Sequence, residues 1–137
     1  LIDDLVSVAE VTVAKKGVAD PWGFTLKRVA YDAVNNKTKT YEGRPATSML
    51  NVEIGHLIAF RVGRMDKYPR ILCKVTDIRH FASARQMLLA VGWKKFVPWA
   101  TGQKDAEKLY FRLGRDYRSG MKALRLVHMR TELGANE

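Results

Sequence analysis

The sequence predicts an α+β domain dominated by one curved, barrel-like mixed sheet with helices packed on its openings. Two observations carry that expectation. Apolar residues alternate in stretches 22–27, 57–62, 70–81 and 121–129, strand-like residues fill 40–44, and apolar residues recur at helical spacing in 28–36, 83–92 and 104–113. The order strand, helix, strand, two paired strands, two helices and a closing strand fits one sheet with flanking helices. A chain of 137 residues, 47% hydrophobic and 28% charged, also holds enough apolar material for one core and enough charge for a soluble surface.

The elements follow in order. Residues 1–16, LIDDLVSVAEVTVAKK, begin at helical spacing and then alternate; they are read as an N-terminal extension to a domain spanning 17–137. In WGFTLK, period two puts Trp22, Phe24 and Leu26 on one face of a short strand. From Arg28 to Asn36, Val29, Ala30, Ala33 and Val34 form the inward face of a helix closed by an Asn pair. A strand from Thr40 to Arg44 is stopped by Pro45.

A turn at Gly55 leads into a strand in which Ile58, Phe60 and Val62 face opposite to Leu57, Ala59 and Arg61. The charged segment 63–69 then connects it, as a hairpin, to the strand RILCKVTDIRHF. Ser83 with Gln86 forms a capping box ahead of Ala84, Met87, Leu88 and Val91, and Gly92 ends that helix. A further helix, from about Lys104 to Leu113, turns Ala106, Leu109, Tyr110 and Leu113 inward and Lys104, Lys108 and Arg112 outward. MKALRLVHM closes the domain as a strand.

Charge narrows the function classes. The 24 Lys and Arg against 14 Asp and Glu leave +10, which favours a polyanionic partner, RNA or DNA before an anionic membrane surface. From Lys94 to Arg130, ten basic residues (Lys94, Lys95, Lys104, Lys108, Arg112, Arg115, Arg118, Lys122, Arg125, Arg130) face three acids. Trp93, Phe96, Trp99, Tyr110 and Tyr117 lie among them and offer flat faces for unstacked bases. The loop GRDYRSG, 114–120, pairs arginines with glycines that let backbone approach a phosphate.

Other classes lose ground. No apolar run is long enough to span a bilayer, and no membrane partner is expected. Cys73 stands alone, which excludes a disulfide framework or multi-cysteine zinc site, and His56, His80 and His128 lack ligand spacing. No metal or cofactor is expected, and the histidines are read as surface or strand residues. The chain starts at Leu1, which leaves room for an upstream segment. The expected location is intracellular, in the cytosol or an organelle matrix, a mitochondrion included.

The stretch KTKTYEGRP carries the candidate site. Lys39 precedes the strand, and Glu42 and Arg44, two residues apart, share one of its faces. A cation there supplies charge-assisted bonds to phosphate, while the carboxylate accepts from an exocyclic amine such as cytosine's. A solvated salt-bridge cluster is the plainer reading of the same three residues.

KTKTYEGR resembles the GxKxxExR signature of the ASCH domains, in the PUA-like superfamily of small β-barrels. EIGHLIAF, FASARQMLLAVGWKKFVPW and DAEKLYFRL are similar, in that order, to three further family segments, so the likeness runs from about 22 to 129. It implies a PUA-like small mixed β-barrel with flanking helices and a nucleic-acid-binding cleft, RNA favoured, with Lys39, Glu42 and Arg44 at its mouth.

Three departures stand out. Lys37 occupies the signature's leading glycine, and His56 occupies the aspartate that usually follows Gly55. Glu42 stands where amidohydrolase relatives carry a nucleophilic threonine, and the nearest threonine, Thr40, is two positions away, which argues against that acyl chemistry. Two alternatives to binding remain open. One is a hydrolase of a modified nucleoside or of RNA, with Lys39 and Glu42 as its acid/base pair and Ser119 or Tyr31 assisting. The other is a scaffold subunit of a ribonucleoprotein particle, held among protein neighbours and RNA without a working pocket.

Overall fold

The computed structural model describes residues 16–18, 20–48, 51–63 and 68–132. The N-terminal extension therefore lies outside the described residues except for Lys16, as do residues 64–67 of the charged connection. Among the described residues five strands, β1 (Trp22–Leu26), β2 (Tyr41–Pro45), β3 (Leu57–Val62), β4 (Arg70–Phe81) and β5 (Met121–Glu132), form one sheet in the order β1-β3-β4-β5-β2. β1 runs parallel to β3, and every other pair is antiparallel, including the expected β3–β4 pair. The helices are α1 (Arg28–Asn35), the single turn α2 (Ala84–Met87) and α3 (Gln103–Phe111).

The architecture is mixed α+β; among the described residues the ladder does not close as a barrel, and β1 and β2 are its edges. The long β4–β5 ribbon shifts register at Leu72/Cys73 and again at Val75/Asp77. Each extra residue bends a strand and increases its twist. The two edges come close enough for Arg44 of β2 to donate from Nη2 to the Thr25 carbonyl of β1 at 3.2 Å, with its guanidinium 4.8 Å from the Phe24 ring centroid. A side chain bridges the gap that a strand ladder would fill in a closed barrel.

Period two sorts the core into two clusters. Phe24, Ile58, Phe60, Ile71, Cys73, Val75, Leu124 and Leu126 pack with Tyr31 and Val34 of α1. Met121 and Ala123, of the opposite parity on β5, pack with Ala84, Met87, Leu88, Phe96, Ala106 and Tyr110. Ser83 Oγ accepts from the Gln86 amide at 3.2 Å, so the expected N-cap forms. The helix then continues as a π turn over Leu88–Gly92 and a 3-10 turn over Trp93–Lys95, with Gly92 at φ 112°.

Several residues depart from their expected places. Val29 and Leu113, read as inward helical residues, are 45% and 50% exposed, while Tyr31 takes the inward place on α1. Pro45 does not stop β2 short but ends it, opposite Met121, and Thr40 precedes the strand. His56 is not a surface residue: it is buried, its Nδ1 accepting from Trp22 Nε1 and from the Glu53 amide, both at 3.1 Å. Two donors on Nδ1 put the ring proton on Nε2. His56 thus supplies the turn before β3 with the acceptor that an aspartate would offer.

Candidate functional site

The turn between α1 and β2 sets the site. Asn36 ends α1, and its side-chain oxygen accepts from the Thr38 amide at 3.0 Å and the Thr38 hydroxyl at 2.6 Å. The Lys37 and Lys39 amides bond back to the Val34 and Ala33 carbonyls at 3.1 and 3.0 Å. Lys37 itself sits at φ 68°, the left-handed region where glycine is relaxed. The turn that a signature glycine would make is therefore kept without one.

That turn buries Lys39, which is 3% exposed. Its Nζ donates to the Tyr41 carbonyl at 2.7 Å and the Phe96 carbonyl at 2.8 Å, and lies 3.1 Å from Glu42 Oε1. All three ammonium hydrogens have acceptors. Glu42, 5% exposed, takes Arg44 on its other oxygen, with Nε at 3.2 Å and Nη2 at 3.1 Å. The pairing register sets Glu42 across from Leu124 and Arg44 across from Lys122, which confirms that the two site residues share a face.

Burial by itself pushes the Glu42 carboxyl up, but Lys39 and Arg44 outweigh it and hold the group below the usual carboxylate range. Burial also pushes the Lys39 ammonium below the ordinary lysine range, with Glu42 opposing. Tyr110 is pushed well above the usual phenol range, first by burial and then by Glu42. Its oxygen lies against Gly43 of β2, 2.8 Å from where a Cβ on that residue would sit.

Glu42 and Arg44 form the floor of a cavity of about 360 Å³ in the gap between β1 and β2. Lys27, Val29 and Ala30 at the start of α1 make one wall; Leu109 and Tyr110 of α3 and Leu113 in the turn after it, with Trp99 and Tyr117, make the other. The misplaced helical residues Val29 and Leu113 are thus cavity walls. The arrangement is a charged, hydrogen-bonding floor under an apolar and aromatic mouth. It suits a flat molecule with a polar edge.

The other candidates fall outside. Lys94, Lys95, Lys104, Lys108, Arg112, Arg115 and Arg118 are all exposed, and none lines the cavity. Arg112 and Arg118 are chain neighbours of the wall residues Leu113 and Tyr117, and the exposed cation in the lining itself is Lys27. Tyr31 is committed elsewhere, donating to the Pro69 carbonyl at 2.7 Å, and the exposed Ser119 donates to the Asp116 carbonyl at 3.1 Å. Neither meets Lys39. Among the aromatics, Phe96 is sealed in the core, whereas Trp99 and Tyr117 remain half-buried at the cavity. Lys27, at the head of α1, was missed because its period-two neighbours read as strand.

No family model matches the chain, and no curated protein does either. Solved structures do. The hypothetical protein PH0355 superposes with a TM-score of 0.69 at 21% identity, over 84% of this chain and 100% of that one. PF0455 from Pyrococcus furiosus gives 0.62 at 20% identity, over 80% and 98%. ASCH from Zymomonas mobilis gives 0.54 at 13% identity, over 81% and 71%. The chain has the fold of the ASCH structures, as its KTKTYEGR motif implies.

Proposed function

We propose that this chain is a nucleic-acid-binding module that receives an unpaired base, with RNA favoured over DNA, in the cavity above Glu42 and Arg44. The observation that carries the reading is the cavity itself: a buried carboxylate and a part-buried guanidinium at the floor, apolar and aromatic walls, and the exposed Lys27 in its lining. Tyr117 and Trp99 offer faces for stacking, worth about 1–3 kcal/mol per base. Glu42 offers an acceptor for an exocyclic amine, and the exposed cations hold backbone phosphates. A place in a ribonucleoprotein, in an intracellular compartment, accords with this reading.

Binding is favoured over turnover because Lys39 has spent its three donors on Tyr41, Phe96 and Glu42, and no hydroxyl nucleophile candidate meets it. The test is salt-titrated binding to single-stranded RNA, duplex RNA and DNA, beside Leu113→Glu at the cavity mouth and a variant with Arg112, Arg115 and Arg118 changed to Gln. Single-stranded RNA should bind best, with affinity falling steeply as salt rises and both variants weaker. Loss in the arginine variant alone would leave charge as the whole interaction and remove the base from the cavity.

A further inference from the structure

A second cavity, of about 330 Å³, lies on the other side of Lys39, between the end of α1 and the middle of β5. Lys39 lines both cavities. The second is bordered by Lys37, Thr40, Val127 and His128, and no carboxylate lines it. With Lys39 paired to Glu42, the exposed Lys37 is the cation that gives this hollow its charge.

Three of its polar groups are unspent among the described residues. The turn around Lys37 is closed by backbone bonds and by the Asn36 and Thr38 side chains, and the Lys37 ammonium has no ion pair. Thr40 uses its amide on the Lys95 carbonyl at 3.0 Å and its carbonyl on the Leu126 amide at 2.8 Å, while its hydroxyl has no protein partner. His128 contacts Thr131 Oγ1 through Nε2 at 3.2 Å, leaving Nδ1 uncommitted. An ammonium, a hydroxyl and an imidazole nitrogen around a carboxylate-free hollow match a phosphodiester and the sugar beside it.

The backbone supplies an independent sign. A residue other than glycine at φ 68° costs about 1–2 kcal/mol. Here that cost holds a lysine at the rim of the second cavity, where glycine would relieve it. Opposing the dipole at the end of α1 gives back about 0.3–1 kcal/mol, less than the strain.

We propose that the second cavity is a phosphodiester subsite contiguous with the first, so that the ligand is an oligonucleotide crossing Lys39 and not a single nucleoside. The inference rests on the base-binding reading of the first cavity. Lys39 is then the partition between two adjacent nucleotides: its committed ammonium fixes the wall, and Lys37 and Thr40 hold what lies beyond it.

The experiment compares cytidine, the dinucleotide CpC and a short oligocytidylate binding to wild type, Lys37→Gly and Thr40→Val. CpC should bind wild type about ten-fold more tightly than cytidine. Lys37→Gly should weaken CpC by about five-fold, the range of one exposed charge contact, and leave cytidine unchanged. Because glycine suits this turn, the variant should melt no lower than wild type, so lost affinity does not reflect lost fold. Equal affinity for cytidine and CpC, or CpC binding untouched by both variants, overturns the subsite and leaves the first cavity's reading intact. If neither cytidine nor CpC binds while the oligomer binds by charge, the base-binding reading fails and the subsite with it.

Discussion

Lys39 and Glu42 form an ion pair 3.1 Å long in which neither partner is more than 5% exposed, and Arg44 closes the carboxylate's second oxygen. One anion therefore serves two cations in a place with little water. Removing the anion strands both.

Glu42→Ala should cost about 3–5 kcal/mol, the range for breaking a buried pair from one side. Replacing Lys39 and Glu42 together, by Met and Leu, should recover part of that, since no unpaired charge then remains between them. Urea unfolding of the two variants measures it. A loss under about 1 kcal/mol for Glu42→Ala would mean the cluster behaves as a surface salt bridge.

Acid should unfold the protein partly through Glu42. Its folded pKa lies below the ordinary 4.5, so on acidification the unfolded chain takes up a proton first. With more protons bound in the unfolded state, stability rises with pH across that window, and conversely is lost as pH falls through the folded value. Unfolding free energy should therefore be steady above about pH 5 and drop below it. Glu42→Gln, though less stable throughout, should show a shallower acid slope; an unchanged slope would assign the acid limb to other carboxyls.

Lys37→Gly should stabilise the fold by about 0.5–1 kcal/mol, the left-handed strain relieved less the lost helix-end charge. A higher urea midpoint at constant m-value is the signature. A lower midpoint would show that the lysine side chain contributes more to the turn than its contacts indicate.

Gly43→Ala should destabilise by about 1–3 kcal/mol through overpacking. A Cβ there falls 2.5 Å from Met87 Cε and 2.8 Å from the Tyr110 hydroxyl. Met87 has a flexible end that can yield; Tyr110 is buried and lines the cavity. Ligand affinity should fall along with melting temperature, and unchanged affinity would mean Tyr110 does not shape the site.

Much of this was legible in the sequence, for physical reasons that also mark where it stops. Period two found β1, β3 and β4 because each has one face against a core. Lys39, Glu42 and Arg44 were legible because they meet through local geometry, a turn and a strand. Val29 and Leu113 were misread because helical spacing reports which residues point toward another element, not whether the space between is filled. Tyr110, Tyr117 and Trp99 reach β2 from more than fifty residues away, a relation that no spacing encodes. Barrel closure was not legible for the same reason: whether β1 pairs with β2 depends on their approach in space, and the register shifts of β4–β5, which bend the sheet, are announced by no residue type.

The unladdered seam between β1 and β2 gives the fold an adjustable aperture. Strand pairing fixes distances in multiples of a rung, and altering it shifts every side chain from one face to the other. A seam bridged by the Arg44 side chain carries no such quantum. Substitutions at Arg44, Phe24 or the α1 wall can widen or narrow the opening by fractions of an ångström while all four ladders stay in register. Chains that share this fold at low sequence identity can then diverge in what they admit without rebuilding the sheet that admits it.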